Sequence, residues 1–143
     1  KDIMETKQMS NHVIICGGGI VGQKIAAMLF ESNIPFIIIE INEKVAEKMR
    51  LAGYSVIVGD ATLSVNLKQA FISTAKAIAI VMDNDAKNLF AVLTARDLNK
   101  KIFIATRAND EFMREKLIEA KADYVIMPQK TASSEILKEL GIT

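Results

Sequence analysis

Short runs of consecutive apolar, mostly β-branched residues alternate along the chain with longer stretches in which apolar residues recur every three or four positions. The runs predict strands at Val13–Cys16, Phe36–Glu40, Ser55–Val58, Ala77–Val81, Ile102–Ala105 and Tyr124–Met127. Several are apolar on consecutive rather than alternate residues, the pattern of strands covered on both faces. The periodic stretches predict helices at Ile20–Ser32, Glu43–Ala52, Ser64–Ala70, Asp85–Leu98 and Glu111–Ala120, with a sixth at about Ala132–Leu140. Strict strand–helix alternation predicts one parallel sheet with helices on both faces, of class α/β. Right-handed crossovers favour a doubly wound sheet of order 3-2-1-4-5-6, with a ligand crevice at the switch beside the first strand. The punctuation agrees. Gly53 stands where the second helix needs a left-handed cap, Asn109-Asp110-Glu111 opens the fifth helix, and Pro128 closes the last strand. Residues 1–11 stand outside the pattern as a tail or linker, and 12–143 form the domain. The helix at Asp85–Leu98 carries more apolar residues than one stripe needs. It is either deeply packed or buries a second face against another subunit.

Composition narrows the class. A chain of 143 residues holds one α/β domain, and with a net charge of +1 and no basic, aromatic-studded stripe it has no electrostatic case for nucleic acid. No apolar run approaches the roughly 20 residues of a membrane-spanning helix, so direct membrane insertion is not expected. Cys16 and His12 are each the sole residue of their type. Cys16 reads as a small buried strand residue compatible with a reducing compartment, and His12 as structural. The chain starts at Lys1, and a soluble piece of a membrane protein has this composition.

The candidate chemistry gathers at the strand ends. Gly17-Gly18-Gly19-Ile20-Val21-Gly22 places G-x-G-x-x-G after an apolar strand and at the start of a helix, the context of a Rossmann-like phosphate loop. Gly17 permits the tight turn, Gly19 leaves room for a pyrophosphate, and Gly22 lets the helix lie close to the strand. Glu40, followed by Ile41, ends the second strand about 20 residues on, where a carboxylate takes ribose hydroxyls and repels a 2′-phosphate. Gly59-Asp60-Ala61-Thr62 follows the third strand, with Asp60 set to accept from an adenine amine and Thr62 to cap the next helix. Val81-Met82-Asp83-Asn84-Asp85 forms the far wall after the fourth strand, a polar loop capping the next helix, and Arg107, past the fifth, stands ready to meet a phosphate or pair with Asp60 or Asp83. No catalytic set and no metal-ligand spacing is apparent.

The strings NHVIICGGGIVGQKIA, FIIIEINEKV, GYSVIVGDAT and KADYVIMP resemble the RCK, or TrkA-N, regulatory domains of potassium channels and transporters over Asn11 to Leu140. The resemblance implies a cytoplasmic domain that binds NAD(H) or AMP, ADP or ATP. It further implies a homodimer, in some members an octameric gating ring, coupled to a fused pore or to a transporter's membrane subunit. Gly17, Gly19 and Gly22 match the family's phosphate loop, Glu40 its ribose acid, and Asp60-Ala61-Thr62 its adenine loop. Ile20 departs from the arginine of many members. Lys87 lies where a calcium-gated member tends to be acidic, so calcium is not favoured. The C-terminal ligand-binding subdomain usual in the family is lacking, and residues 1–11 resemble the linker from a pore helix. Two other readings stay open: the cofactor domain of an NAD-dependent oxidoreductase, and an oligomerisation module without ligand.

Overall fold

The computed structural model describes residues 8–143. Six parallel strands, β1 (Val13–Cys16), β2 (Phe36–Glu40), β3 (Val56–Val58), β4 (Ala77–Ile80), β5 (Phe103–Arg107) and β6 (Tyr124–Ile126), lie in the order β3-β2-β1-β4-β5-β6. The helices are α1 (Ile20–Glu31), α2 (Glu43–Leu51), α3 (Ser64–Gln69), α4 (Asp85–Leu98), α5 (Glu111–Glu119) and α6 (Pro128–Glu139). The expected architecture and strand order are therefore present.

Two apolar layers sandwich the sheet because its strands are apolar on both sides. Ile15, Ile38 and Val81 face one layer with Ala26 of α1 and Met49 of α2. Ile14, Ile39, Ile80 and Ile104 face the other, with Leu67 of α3, Ala91, Val92 and Ala95 of α4, and Leu117 of α5. β1 is central: Ile14 pairs with Ile37 of β2 and Ile78 of β4. Cys16 is buried there and its thiol pKa is pushed up by desolvation. His12, also buried, donates from Nε2 to the Ala70 carbonyl at 2.7 Å.

Side-chain caps set three helix starts: Asn42, Asn84 and Asp110 accept from the backbone N–H groups of Val45, Lys87 and Met113. Gly53, at φ +98°, closes α2 by donating to the Arg50 carbonyl.

Four expectations need correction. Thr62 does not cap α3: that helix opens at Ser64 after Leu63, without a side-chain cap, and the Thr62 hydroxyl is spent on Asp60. Helix α6 begins at Pro128 rather than near Ala132, because a proline in the first turn has no N–H to leave unpaired and its φ suits a helix. The fifth strand runs Phe103–Arg107, two residues beyond its expected end. A 3-10 turn at Ile72–Thr74, entered through Phe71 at φ +58°, lies where no element was expected. Of the tail, residues 1–7 lie outside the described residues. Residues 9–11 are fastened to the body, since Asn11 donates to the Thr74 carbonyl and Thr74 Oγ1 to the Met9 carbonyl. Among the described residues no helix is long and apolar enough to cross a membrane.

Candidate functional site

Where β1 and its neighbours end, the chain leaves a cavity of about 560 Å³. Its position is the switch point at which β2 turns to one side of β1 and β4 to the other. Gly17, Gly19, Ile20, Val21, Glu40, Ile41, Asp60, Ala61, Val81, Met82, Asp83 and Arg107 all line it. Gly22 and Thr62 do not; each acts one step behind the surface.

The glycine loop divides its labour. Gly17 takes φ +112°, and a methyl group there would sit 3.1 Å from the Val81 carbonyl oxygen and 3.2 Å from Cα of Met82. A methyl group on Gly22 would strike the Gly17 carbonyl oxygen, so α1 can lie against the loop only with glycine there. At Gly19 the same group would meet nothing within 4 Å. Gly19 is also the N-cap of α1 and brings no side-chain acceptor, so the first-turn N–H groups are left for another acceptor.

Glu40 is anchored at both oxygens. Oε1 accepts from the Gly18 N–H at 2.6 Å and Oε2 from the Asn42 N–H at 2.8 Å. A carboxylate has about four lone-pair sites, so two remain for hydroxyl donors. Gly18 was missing from the expected site. Its role is to bring this N–H to Glu40, and a methyl group there would come within 2.7 Å of the Met49 sulfur. The run of three glycines was the available signal.

Asp60 accepts from the Thr62 N–H at 2.9 Å and the Thr62 hydroxyl at 2.7 Å. The backbone N–H first, then the hydroxyl, hold its carboxyl below the ordinary range; burial opposes them and the Lys87 ammonium assists. Gly59 and Asn84, which belong to the expected loops, line it as well, whereas Asp85 of the same loop as Asn84 does not; Lys87, Val45 and Ile39 complete the lining and were not assigned to it. For Lys87 the available signal was its place in the first turn of a helix opening at the strand ends. Arg107 is largely enclosed, with Nη1 4.0 Å from Oδ1 of a fully exposed Asp83, a pairing too loose to neutralise it. The crevice thus offers an open helix N-terminus, a carboxylate with free lone pairs on one side, an apolar floor, and two cations on the other side.

Comparison with known proteins places this geometry in a family. The chain is 40% identical over 134 residues to Potassium channel protein 1 of Methanocaldococcus jannaschii, covering 92% of this chain and 40% of that protein. The crystal structure of the TrkA-N domain of the inner membrane protein ybaL from Escherichia coli superposes with a TM-score of 0.89 at 25% identity, covering 94% of this chain and 99% of that one. The crystal structure of GsuK bound to ADP matches with a TM-score of 0.70 at 35% identity, covering 82% of this chain and 30% of that one. The chain therefore spans less than half the length of the channel protein and of GsuK. The family model of the TrkA-N domain matches residues 13–128, and the chain belongs to that family.

Proposed function

We propose that the crevice binds an adenine nucleotide, NAD(H) or AMP, ADP or ATP, and that its occupancy regulates potassium passage through a membrane protein. The observation that carries this reading is the convergence on one cavity of an open helix N-terminus at Gly19 and a carboxylate, Glu40, with lone pairs to spare. The first suits phosphate and the second suits ribose hydroxyls. A GsuK structure was solved with ADP, and a relative carries the name of a potassium channel, which supports both halves of the proposal.

The regulation is allosteric. A nucleotide favours one arrangement of a homodimer, or of an octameric ring built from dimers, and the difference in affinity between arrangements moves a fused pore or a transporter's membrane subunit on its cytoplasmic side. Equal affinity for both arrangements would move nothing, and a coupling of about 1–3 kcal/mol is the usual scale. Phe90 and Leu93, exposed on α4 opposite its buried Ala91, Val92 and Ala95, supply an apolar face for such assembly.

The test is a thermal-shift series with NAD, NADH, NADPH, AMP, ADP and ATP on the wild-type chain and on Glu40→Ala. The wild type should be stabilised by nucleotides with a free 2′-hydroxyl, and the variant should lose most of that gain while remaining folded. No stabilisation by any nucleotide would defeat the proposal.

A further inference from the structure

One polar side chain lies wholly inside the core beside the crevice without lining it. Asn88, in the opening turns of α4, is 0% exposed. Its Oδ1 accepts from the Met82 N–H at 2.9 Å, and its Nδ2 donates to the Met82 carbonyl at 3.0 Å and, more distantly, to the Arg107 carbonyl at 3.4 Å. These partners dictate the orientation of the amide: Met82 N–H demands an oxygen and the two carbonyls demand the nitrogen.

The place of these bonds matters more than their number. β4 and β5 pair as far as Ile80 and Thr106; β4 then passes into its loop, while Arg107, the last residue of β5, stays paired with Ile126 of β6. Beyond that last pair the Asn88 carboxamide does what a further rung of backbone would do, holding Met82 at the end of one strand against Arg107 at the end of the next. Met82 in turn backs the glycine loop, since its Cα and Cγ bound the space beside Gly17. Asn88 is itself held by the capped start of α4, where its own N–H donates to the Asn84 carbonyl. Both residues that it holds, Met82 and Arg107, face the cavity.

We infer that Asn88 is a positioning residue for the far half of the crevice, fixing where Met82 and Arg107 meet the phosphate-bearing part of the ligand. The inference rests on the nucleotide reading above. A ligand that reaches Arg107 depends on this wall, whereas one that uses only the Glu40 and Asp60 side does not. Buried polar groups of this kind act through geometry, by sparing the ligand the work of organising its own site.

The test compares ADP with adenosine, titrated into the isotopically labelled chain and followed by backbone NMR shifts, for wild type, Asn88→Asp and Asn88→Ser. The aspartate keeps the size and the acceptor but sets a carboxylate oxygen against two carbonyls; the serine removes the bridge. ADP affinity should fall on the order of tenfold in both variants while adenosine affinity changes by less than about twofold. Equal losses for the two ligands, or none for ADP, would mean that Asn88 only supports the core, and would overturn the inference. Should the variants not fold, the wild type still decides. The side-chain amide signals of Asn88 should shift with ADP and stay in place with adenosine, and the same response to both overturns the inference. Failure of the wild type to bind ADP at all defeats the nucleotide reading instead.

Discussion

Gly19, at the N-cap of α1, and Gly22, in its first turn, belong to one motif but answer to different demands. Alanine at Gly19 projects into open space, so Gly19→Ala should lower stability by less than about 1 kcal/mol while weakening nucleotide binding at least several-fold. Alanine at Gly22 meets the Gly17 carbonyl, and Gly22→Ala should cost about 1–3 kcal/mol or more whether or not ligand is present. Urea unfolding and calorimetric titration of the two variants separate the roles. Asp60 invites a pH test. Its folded-state pKa lies below the ordinary value near ~4, so its contribution to stability is complete above that value and fades as pH falls through the depressed one. The stability gap between wild type and Asp60→Asn should therefore shrink from pH 7 to pH 2, and urea midpoints across that range measure it. Spacing alone placed Gly17, Gly19 and Glu40 at the crevice. The bond from Gly18 to Glu40 and the place of Asn88 went unread because they depend on what the fold brings near them, and no spacing along the chain encodes that.

At the scale of elements, starts and stops were legible where a side chain enforces them. Asn42, Asn84 and Asp110 cap α2, α4 and α5 where a polar residue precedes an apolar period. They were misread where one residue suits two roles: Pro128 ends a strand and also opens a helix, and Thr62 can cap a helix or stabilise a turn. The surplus of apolar residues on α4 proved real, with Ala91, Val92 and Ala95 in the core while Phe90 is 58% and Leu93 47% exposed. Phe90→Glu should leave the fold intact, changing unfolding free energy by no more than about 0.5 kcal/mol, and, on the proposal that this face joins two copies of the chain, should shift it toward monomer in light-scattering chromatography. An unchanged assembly state would remove this face from the proposed subunit contact. Helix α6 buries no residue at all, although Ile136 and Leu137 lie along it and Leu140 follows its end. Its pattern predicted a helix, yet nothing in that pattern told whether the sheet would be in reach.

For the whole molecule, alternation and handedness were enough to order the sheet, because few parallel topologies bury six doubly apolar strands. The cavity followed from that order, since the switch in crossover direction opens a gap beside β1 whatever side chains line it. One consequence concerns how binding can be detected. β1 is paired on both sides and carries Ile14 and Ile15 at 0% exposure, so the amide protons of these residues should exchange with solvent only when the entire domain unfolds. The glycine loop is the direct continuation of that strand. A nucleotide at a hundred times its dissociation constant adds about 2.7 kcal/mol of stability, and deuterium uptake at Ile14 and Ile15 should slow by that same factor of about a hundred. Two buried isoleucines, neither touching the ligand, would thus report its affinity, and a rate indifferent to nucleotide would mean that the crevice holds none.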